Sequence, residues 1–523
     1  MKGRDAMAAT SRPGRKTPHA IGEASREDQE RAPLLDAMSS PRRRHRVPFQ
    51  IPGHKQGRGV DAATLEVLGR RVFECDVPLD GGLDDRLGSH GLDTEAEQLA
   101  ARAMGADTVL FSTNGSSLSI QSSIMSVAPP GEEILVARNL HKSTFNGLIL
   151  GGARPVFVRP AVDDRLEMLH GVTPEALSRA FDMHPGARAA VIVSPTYYGV
   201  VADVAGLAEV CHRRGVPLIT DDAWGAHFLV HPELPDSALS AGSDIAVASL
   251  HKTGSGLMQG SMIAVRGDRI DVTRLKHTLG LLESTSTSML ILAAMDGARR
   301  HLALHGHELL ERTIALSRRA RSALARIPGI DVMGREIVGQ PGVFDLDETK
   351  IVVDVQGLGL TGFAAADWLI DECDMPVELA DHRRLVALLT LADDDRSVDR
   401  LIAGFEAMAT ASATMPDRGT MAIPPVESLF TDAPMTPREA FFAARREVAL
   451  EEAEGWIAAE SVTPYPPGIP AVVPGERWTR SIIRYLRAGL EHGMHIAEAA
   501  DPKLDTVLVV DGPGPVSAGP EAR

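Results

Sequence analysis

A chain of 523 residues with 44% apolar side chains is long enough for about two to four domains with sizeable cores. Aromatics make up only 4%, so those cores are expected to be aliphatic. A net charge of −16 speaks against general nucleic-acid binding, which draws on excess Lys and Arg, and is compatible with a cationic partner without identifying one. Cys75, Cys211 and Cys373 are far apart and show no CxxC spacing, so neither a disulfide framework nor a zinc site is expected and a reducing cytoplasm fits. No apolar run reaches the ~18 residues of a membrane span. No apolar h-region follows Arg4, Arg12, Arg15 and Lys16, so the start of the chain does not read as a secretory signal.

In chain order, residues 1 to about 30 are polar and aperiodic and read as a disordered tail. Arg42-Arg43-Arg44-His45-Arg46 is a basic run expected to be solvated or to touch another subunit. From 95 to 265, helical periods alternate with short apolar strands. A helix over 94–104 precedes a strand over 108–112, and further strands are expected at 133–137, 155–158, 189–194, 216–220 and 245–249. This alternation predicts an α/β fold with a largely parallel sheet covered on both faces, and chemistry at the carboxyl ends of its strands. Helices over 302–325, 363–373 and 398–410 around a strand at 350–355 predict a smaller α+β unit. A Pro/Gly-rich stretch at 463–475 and a helix over 479–492 follow, and then a short tail. The expected division is a large domain over 31–300, a small one over 301–415 and a C-terminal region over 416–523.

Four strand-end features carry the chemistry. Asn114-Gly115-Ser116-Ser117 follows a strand and opens a helix, where backbone N–H groups and hydroxyls suit a phosphate, although such residues are commonly just caps. Asp221 and Asp222 end the strand at 216–220; a carboxylate there can bind a metal, act as a base or pair with a cationic ring nitrogen. Lys252, in Ser249-Leu250-His251-Lys252-Thr253, follows the next strand, and a desolvated lysine can form a Schiff base with an aldehyde. His141, in Arg138-Asn139-Leu140-His141-Lys142-Ser143, can stack on a planar ring. Each is modest alone. In this order on successive strand ends they make a site for pyridoxal 5'-phosphate (PLP), which needs a phosphate cradle, an Asp for its pyridine nitrogen, a stacking face and an amine.

With these residues in hand, the chain resembles the bacterial ornithine/lysine/arginine decarboxylase family, fold-type I PLP enzymes related to aspartate aminotransferase in architecture. The resemblance runs from about 33 to 476. Besides the motifs above it includes Pro48-Phe49-Gln50-Ile51-Pro52-Gly53-His54-Lys55, Ser194-Pro195-Thr196-Tyr197-Tyr198-Gly199, Ala223-Trp224-Gly225-Ala226-His227, Gln259-Gly260-Ser261, Pro464-Tyr465-Pro466-Pro467-Gly468-Ile469-Pro470 and Pro474-Gly475-Glu476. It implies a large domain built on a mostly parallel sheet of seven-stranded type. It implies Lys252 as the cofactor lysine, Asp221 facing the pyridine nitrogen and His141 stacking on the ring. Gly115, Ser116 and Ser117 would hold the phosphate, helped by Ser249 and His251, with Ala223 and Trp224 beside the ring. It implies decarboxylation of a basic amino acid, with His251 or Lys252 handling protons, in a homodimer or larger homo-oligomer whose Ser284 or Thr285 reaches a neighbouring subunit's phosphate. The chain departs from the family pattern at Asp222, where many members have Glu, at Ser116-Ser117, and at Thr287, where many have Pro. The larger members carry an extra N-terminal response-regulator-like domain, and the short tail here resembles the compact subgroup instead. An aminotransferase or aldolase on the same scaffold stays open, as does a non-catalytic relative, which the retention of Lys252, Asp221 and His141 disfavours. Asp84, Asp85 and Glu476 are candidate acids for the substrate's distal cation.

Two further patterns are expected to be innocent. Gly357-Leu358-Gly359-Leu360-Thr361-Gly362 matches a dinucleotide fingerprint, with Glu378 as the only acid at a plausible distance, but no second βαβ half is visible. His301, His305 and His307 fall on a predicted helix with no carboxylate to complete a metal motif, so a solvated face is expected and no metal.

Overall fold

The computed structural model describes residues 26–39, 47–78, 91–415, 420–465 and 468–512. The basic run at 42–46, Asp84, Asp85, Pro466 and Pro467 lie outside these residues, as does most of both expected tails. The organising element is a seven-stranded sheet made of β1 (Thr108–Ser112), β2 (Glu133–Ala137), β3 (Arg154–Val158), β4 (Ala190–Val193), β5 (Leu218–Asp221), β6 (Ile245–Ser249) and β7 (Ser261–Val265). The strand order is β1-β7-β6-β5-β4-β2-β3. β7 runs antiparallel to both neighbours and every other pair is parallel. β4, β5, β6 and β7 are buried along their whole length, which is why they read as continuous apolar runs rather than alternating ones. Helices α1 (Leu92–Met104), α2 (Gly115–Val127), α3 (Lys142–Gly151), α4 (Pro174–Met183), α5 (Val204–His212) and α6 (Val272–Leu282) accompany the sheet. The core is aliphatic as composition implied, and the aromatics among its buried members are Phe111, Phe145 and Phe181.

Strand β5 begins two residues later than the sequence pattern placed it. Pro217 has no N–H to give the ladder, so regular pairing starts at Leu218. The consequence matters for the site: Asp221 is the last residue of the strand instead of the first after it.

Helix α7 (Met289–Leu324) is one unbroken 36-residue element, where periodicity had suggested a start near 302 and a domain boundary at 300. Its first half packs into the large core through Met289, Leu292, Met295 and Leu302, and its last turns into a second core through Leu316, Ala320 and Leu324. The boundary is therefore crossed by a continuous helix. Asp296 and Arg299 interrupt the apolar pattern, yet both are buried and form an ion pair at 2.5 Å. They also anchor the start of the chain: Leu34 N donates to Asp296 Oδ2 (3.0 Å), and Arg299 donates to the carbonyl of Gln29 (3.0 Å). Residues 26–30, expected as the end of a tail, accordingly form a short helix, Arg26–Glu30, with Gln29 buried.

The second core belongs to a four-stranded antiparallel sheet, β8 (Asp331–Val332), β9 (Lys350–Asp354), β10 (Leu379–Ala380) and β11 (Arg384–Leu388), in the order β8-β9-β11-β10. Helices α8 (Gly362–Cys373) and α9 (Asp395–Ser412) pack against it. The fingerprint-like glycines lie between β9 and α8 in this antiparallel unit. Gly357 has its place because a Cβ there would stand 2.6 Å from the Gly329 carbonyl, and Thr361 caps α8. A third core gathers around α10 (Arg480–Glu491) and the pair β12 (Arg445–Ala449) with β13 (Thr506–Val510), and includes Leu450, Trp478, Ile482 and Leu486.

This C-terminal unit is riveted to the large domain by a buried bidentate pair. Arg138, just after β2, donates from Nε and Nη2 to the two carboxylate oxygens of Glu476, each at 2.7 Å, and from Nη1 to the Pro470 carbonyl at 3.0 Å. Glu476 is 1% exposed and fully engaged, so it is not available to a substrate, contrary to the expectation that it might read the distal cation. Its partner lies 338 residues away, which no local pattern reveals. Arg138→Met leaves that carboxylate buried and unpaired and is expected to cost about 3–5 kcal/mol in a denaturant titration.

Candidate active site

The predicted strand-end residues converge at the carboxyl edge of the sheet. Helix α2 starts directly from the end of β1, and Asn114 provides no side-chain cap, leaving amides of its first turn open. Gly115 permits this entry with φ +74°, and its own N–H goes to the Gln259 carbonyl (2.9 Å). Beside that helix end lies a cluster of hydroxyls. Ser116 Oγ is 2.6 Å from Ser249 Oγ and 3.0 Å from Ser261 Oγ, which is itself 3.0 Å from Ser119 Oγ. Ser119 and Ser261 were missed as members of the cluster. The signal was there: Ser119 stands one turn after Ser116, and Ser261 sits in β7, the strand paired with both β1 and β6. Ser117 is exposed and forms no hydrogen bond with this hydroxyl cluster.

At the neighbouring strand ends, Asp221 closes β5 and accepts a hydrogen bond from Ala223 N (3.3 Å). Ser249 N donates to the Ala223 carbonyl (3.4 Å), tying the end of β6 to the loop after β5. Lys252 lies in the single helical turn Leu250–Thr253 after β6, with its Nζ 4.1 Å from the centre of the Trp224 ring. Burial pushes the Lys252 amine down towards its neutral form, against the carboxylates of Asp221 and Glu378. Burial likewise pushes Asp221 up, and the Lys252 charge opposes it. Asp222 is driven much further up, by burial and then by the charge of Asp221, and its Oδ1 has no partner. Both effects favour its protonated form over the carboxylate. Trp224 is buried and its indole N–H has no acceptor. His251 donates from Nδ1 to the Gly260 carbonyl (3.1 Å), and burial holds the ring neutral.

His141 caps α3, accepting at Nδ1 from Ser143 N at 3.3 Å. Burial and the positive charges of Lys252 and Lys142 push its pKa down to about 3, so the imidazole is neutral across physiological pH. The motif at 464–470 explains itself here. Gly468 has φ +86°, a Cβ on it would lie 2.9 Å from His141 Cδ2, and Lys142 N donates to its carbonyl (3.0 Å). Gly468→Ala therefore combines backbone strain with a collision on the imidazole. It is expected to cost about 1–3 kcal/mol in thermal denaturation.

Ser284 and Thr285 are not brought to this cluster. They are exposed on the loop between α6 and α7, where Ser284 bonds only to its own loop. His227, from the Asp221–His227 motif, is buried and pairs with buried Asp347 (3.4 Å). His301 and His305 lie side by side along α7 with their rings tilted by 50° at 5.6 Å, and among the described residues no group of three His, Cys, Asp or Glu is placed to hold a metal ion. Sequence reasoning passed over Lys350 and set Glu378 aside with the dinucleotide pattern. Lys350 heads β9, is 1% exposed, and has its Nζ 3.7 Å from the centre of the same Trp224 ring. Its only advertisement in the sequence was a lysine in front of a fully apolar strand.

The residues assembled here match what PLP asks of a protein: an uncapped helix start with hydroxyls for a phosphate, a buried carboxylate, a neutral imidazole, and a desolvated amine. The sharpest sign is the indole N–H of Trp224. A buried donor without a partner calls for an acceptor, and the ring that carries it has Lys252 Nζ 4.1 Å from its centre.

A parallel sheet with one antiparallel strand, a second smaller sheet, and a lysine after the strand preceding that antiparallel one define a fold-type I PLP enzyme architecture. Family models for the Orn/Lys/Arg decarboxylase major domain and C-terminal domain match residues 32–397 and 426–496. The chain belongs to the Orn/Lys/Arg decarboxylase family and is a decarboxylase. It is similar to an arginine decarboxylase of Halalkalibacterium halodurans, 38% identical over 92% of this chain and 98% of that one. It is 37% identical to an arginine decarboxylase of Bacillus subtilis, again over 92% and 98%. Among solved structures it resembles the lysine decarboxylase LdcF of Francisella novicida, with a TM-score of 0.76 at 22% identity over 92% of this chain and 82% of that one. No helix among the described residues is long and apolar enough to cross a membrane.

Proposed function

We propose that this protein decarboxylates a basic amino acid, arginine first among them, to CO₂ and the corresponding amine with PLP held by Lys252. The observation that carries the reading is the Lys252 amine, desolvated at a strand end, set against Trp224 with its unpartnered N–H and within the field of Asp221. Two relatives sharing 37–38% of residues over nearly their full length are named arginine decarboxylases, which supports putting arginine first.

When bound, PLP supplies an electron sink for the pair released as the Cα–carboxylate bond breaks. The chain's residues do the rest. The uncapped amides of α2, with Ser116 and Ser249, bind the phosphate. Asp221, ionised once a cation stands opposite it, keeps the ring nitrogen positive. His141, neutral and wedged by Gly468, presents a flat face to the ring, with Ala223 and Trp224 beside it. Lys252 Nζ would hold the cofactor through its aldehyde. Nζ would then be the group that moves a proton to Cα, with the unprotonated Nε2 of His251 as a base that can receive one. Buried walls keep water from the departing carboxylate. The proposed assembly is a cytoplasmic homodimer or larger homo-oligomer in which Ser284 and Thr285 reach the phosphate of the neighbouring subunit.

The test is a competition assay with arginine, lysine and ornithine in which CO₂ and amine are both measured. Equimolar CO₂ and amine from one of the three supports the reading. A keto acid formed only when an amino acceptor is added would replace it with an aminotransferase on the same scaffold.

A further inference from the structure

Where the three units of the chain meet lies a cavity of about 180 Å³. The large domain lines it with Tyr197 and Tyr198 from the turn after β4. The small sheet's unit adds Phe363 near the start of α8, and the C-terminal unit adds Phe430 and, from α10, Tyr485. Phe363 packs on the second and third cores alike. Lys252, Asp221, Trp224 and His141 are not among the described residues that line it, so it is separate from the site above. Apolar concavities with a few polar groups at domain junctions are where proteins take up small molecules.

The charges on its wall are already answered. Arg138 is taken up by Glu476 and the Pro470 carbonyl. Asp381 accepts from the Tyr198 hydroxyl (2.7 Å) and from Arg384 Nη1 (2.9 Å). Glu167 pairs with His382 (2.9 Å) and Arg383 (3.2 Å). A charged occupant would lose its water in a mostly apolar space with no counter-charge left to meet it. What remains on offer is neutral. Among the described residues, the hydroxyls of Tyr197 and Tyr485 form no hydrogen bond. Burial and the Asp381 charge push the Tyr485 phenol up, so it keeps its proton and can donate it. Asn139, 3% exposed on the same wall, gives Nδ2 to the His170 carbonyl (2.8 Å) and leaves Oδ1 without a partner. Size narrows the class further, since an apolar cavity of about 150 Å³ admits benzene.

We propose that this junction is a second binding site, for a small neutral molecule built on one aromatic ring that carries a hydroxyl or carbonyl group. The inference is independent of the reaction proposed above. Its occupant touches all three units at once and so fastens the C-terminal unit to the other two.

Calorimetric titration of the full-length protein with phenol tests this. Phenol should bind once per chain, and benzylammonium and benzoate, the same ring with a charge, about tenfold more weakly or worse. Leu429 lines the cavity from the turn Val426–Leu429, and Leu429→Trp fills it, so this variant should lose phenol binding. Tyr485→Phe keeps the ring and removes the hydroxyl. It should weaken phenol about three- to tenfold and leave toluene unchanged. A parent that does not bind phenol, charged probes that bind as well as phenol, or undiminished binding by folded Leu429→Trp each overturn the proposal. Should Leu429→Trp fail to fold, Tyr485→Phe decides alone: phenol affinity equal to that of the parent overturns it.

Discussion

Lys252→Ala is expected to lower turnover by about four orders of magnitude and to remove the visible absorbance of the purified protein. Proton transfer by a positioned group is worth about 10²–10⁴-fold, and the covalent hold on the aldehyde is lost with it. Folding should survive, because the substitution takes a poorly solvated amine out of a buried site rather than breaking an ion pair: among the described residues none is formed by Lys252. Matching circular dichroism and melting of the two proteins would establish that. Borohydride reduction of the parent, followed by peptide mapping, gives the complementary check. A label found on a lysine other than 252 would dismantle the assignment of the whole site.

Asp221→Asn is expected to have the next largest effect. The amide cannot offset a positive ring nitrogen in a buried setting, and breaking such a pair costs about 3–5 kcal/mol, or about two to nearly four orders of magnitude in rate. The direction with pH can be checked as well. Burial raises the Asp221 carboxyl in the free protein, and the cation opposite it draws the value back down when the site is filled. Cofactor affinity should therefore fall as pH drops through the Asp221 titration in the parent, and that dependence should vanish in Asp221→Asn. Asp222→Asn is the natural control. Burial and the Asp221 charge push the Asp222 carboxyl up towards its protonated form, and an amide has nearly the same shape, so rate and cofactor affinity should stay close to those of the parent.

The central strands β4, β5 and β6 were legible because they are buried along their whole length and appear as apolar runs, whereas β7, the antiparallel strand, was not picked out. The strand-end rule then pointed at Asp221, Ser249, His251 and Lys252 before any coordinates. What escaped were relations between distant segments. Arg138 and Glu476 explain one another only in three dimensions, and Glu476 seen alone looked like a free acid. Gly468 looked like turn punctuation, whereas its positive φ and missing Cβ serve His141. Lys350 disappeared into a strand. Helix α7 was cut short in the reading because Asp296 and Arg299 interrupt the apolar face, although they satisfy each other in the interior. Ser284 and Thr285 stand away from the hydroxyl cluster of their own chain, so their suggested role depends on an arrangement of subunits.

The long helix through residue 300 has a mechanical consequence. Thirty-six residues make a rod of about 54 Å, clamped in the large core at one end and in the small sheet's core at the other. The small sheet, and Lys350 with it, cannot swing away from the strand ends as a hinged lobe without bending that rod. Entry of substrate and escape of the amine must then rely on shifts in surface loops, while the wall that carries the second lysine stays stiff throughout the cycle.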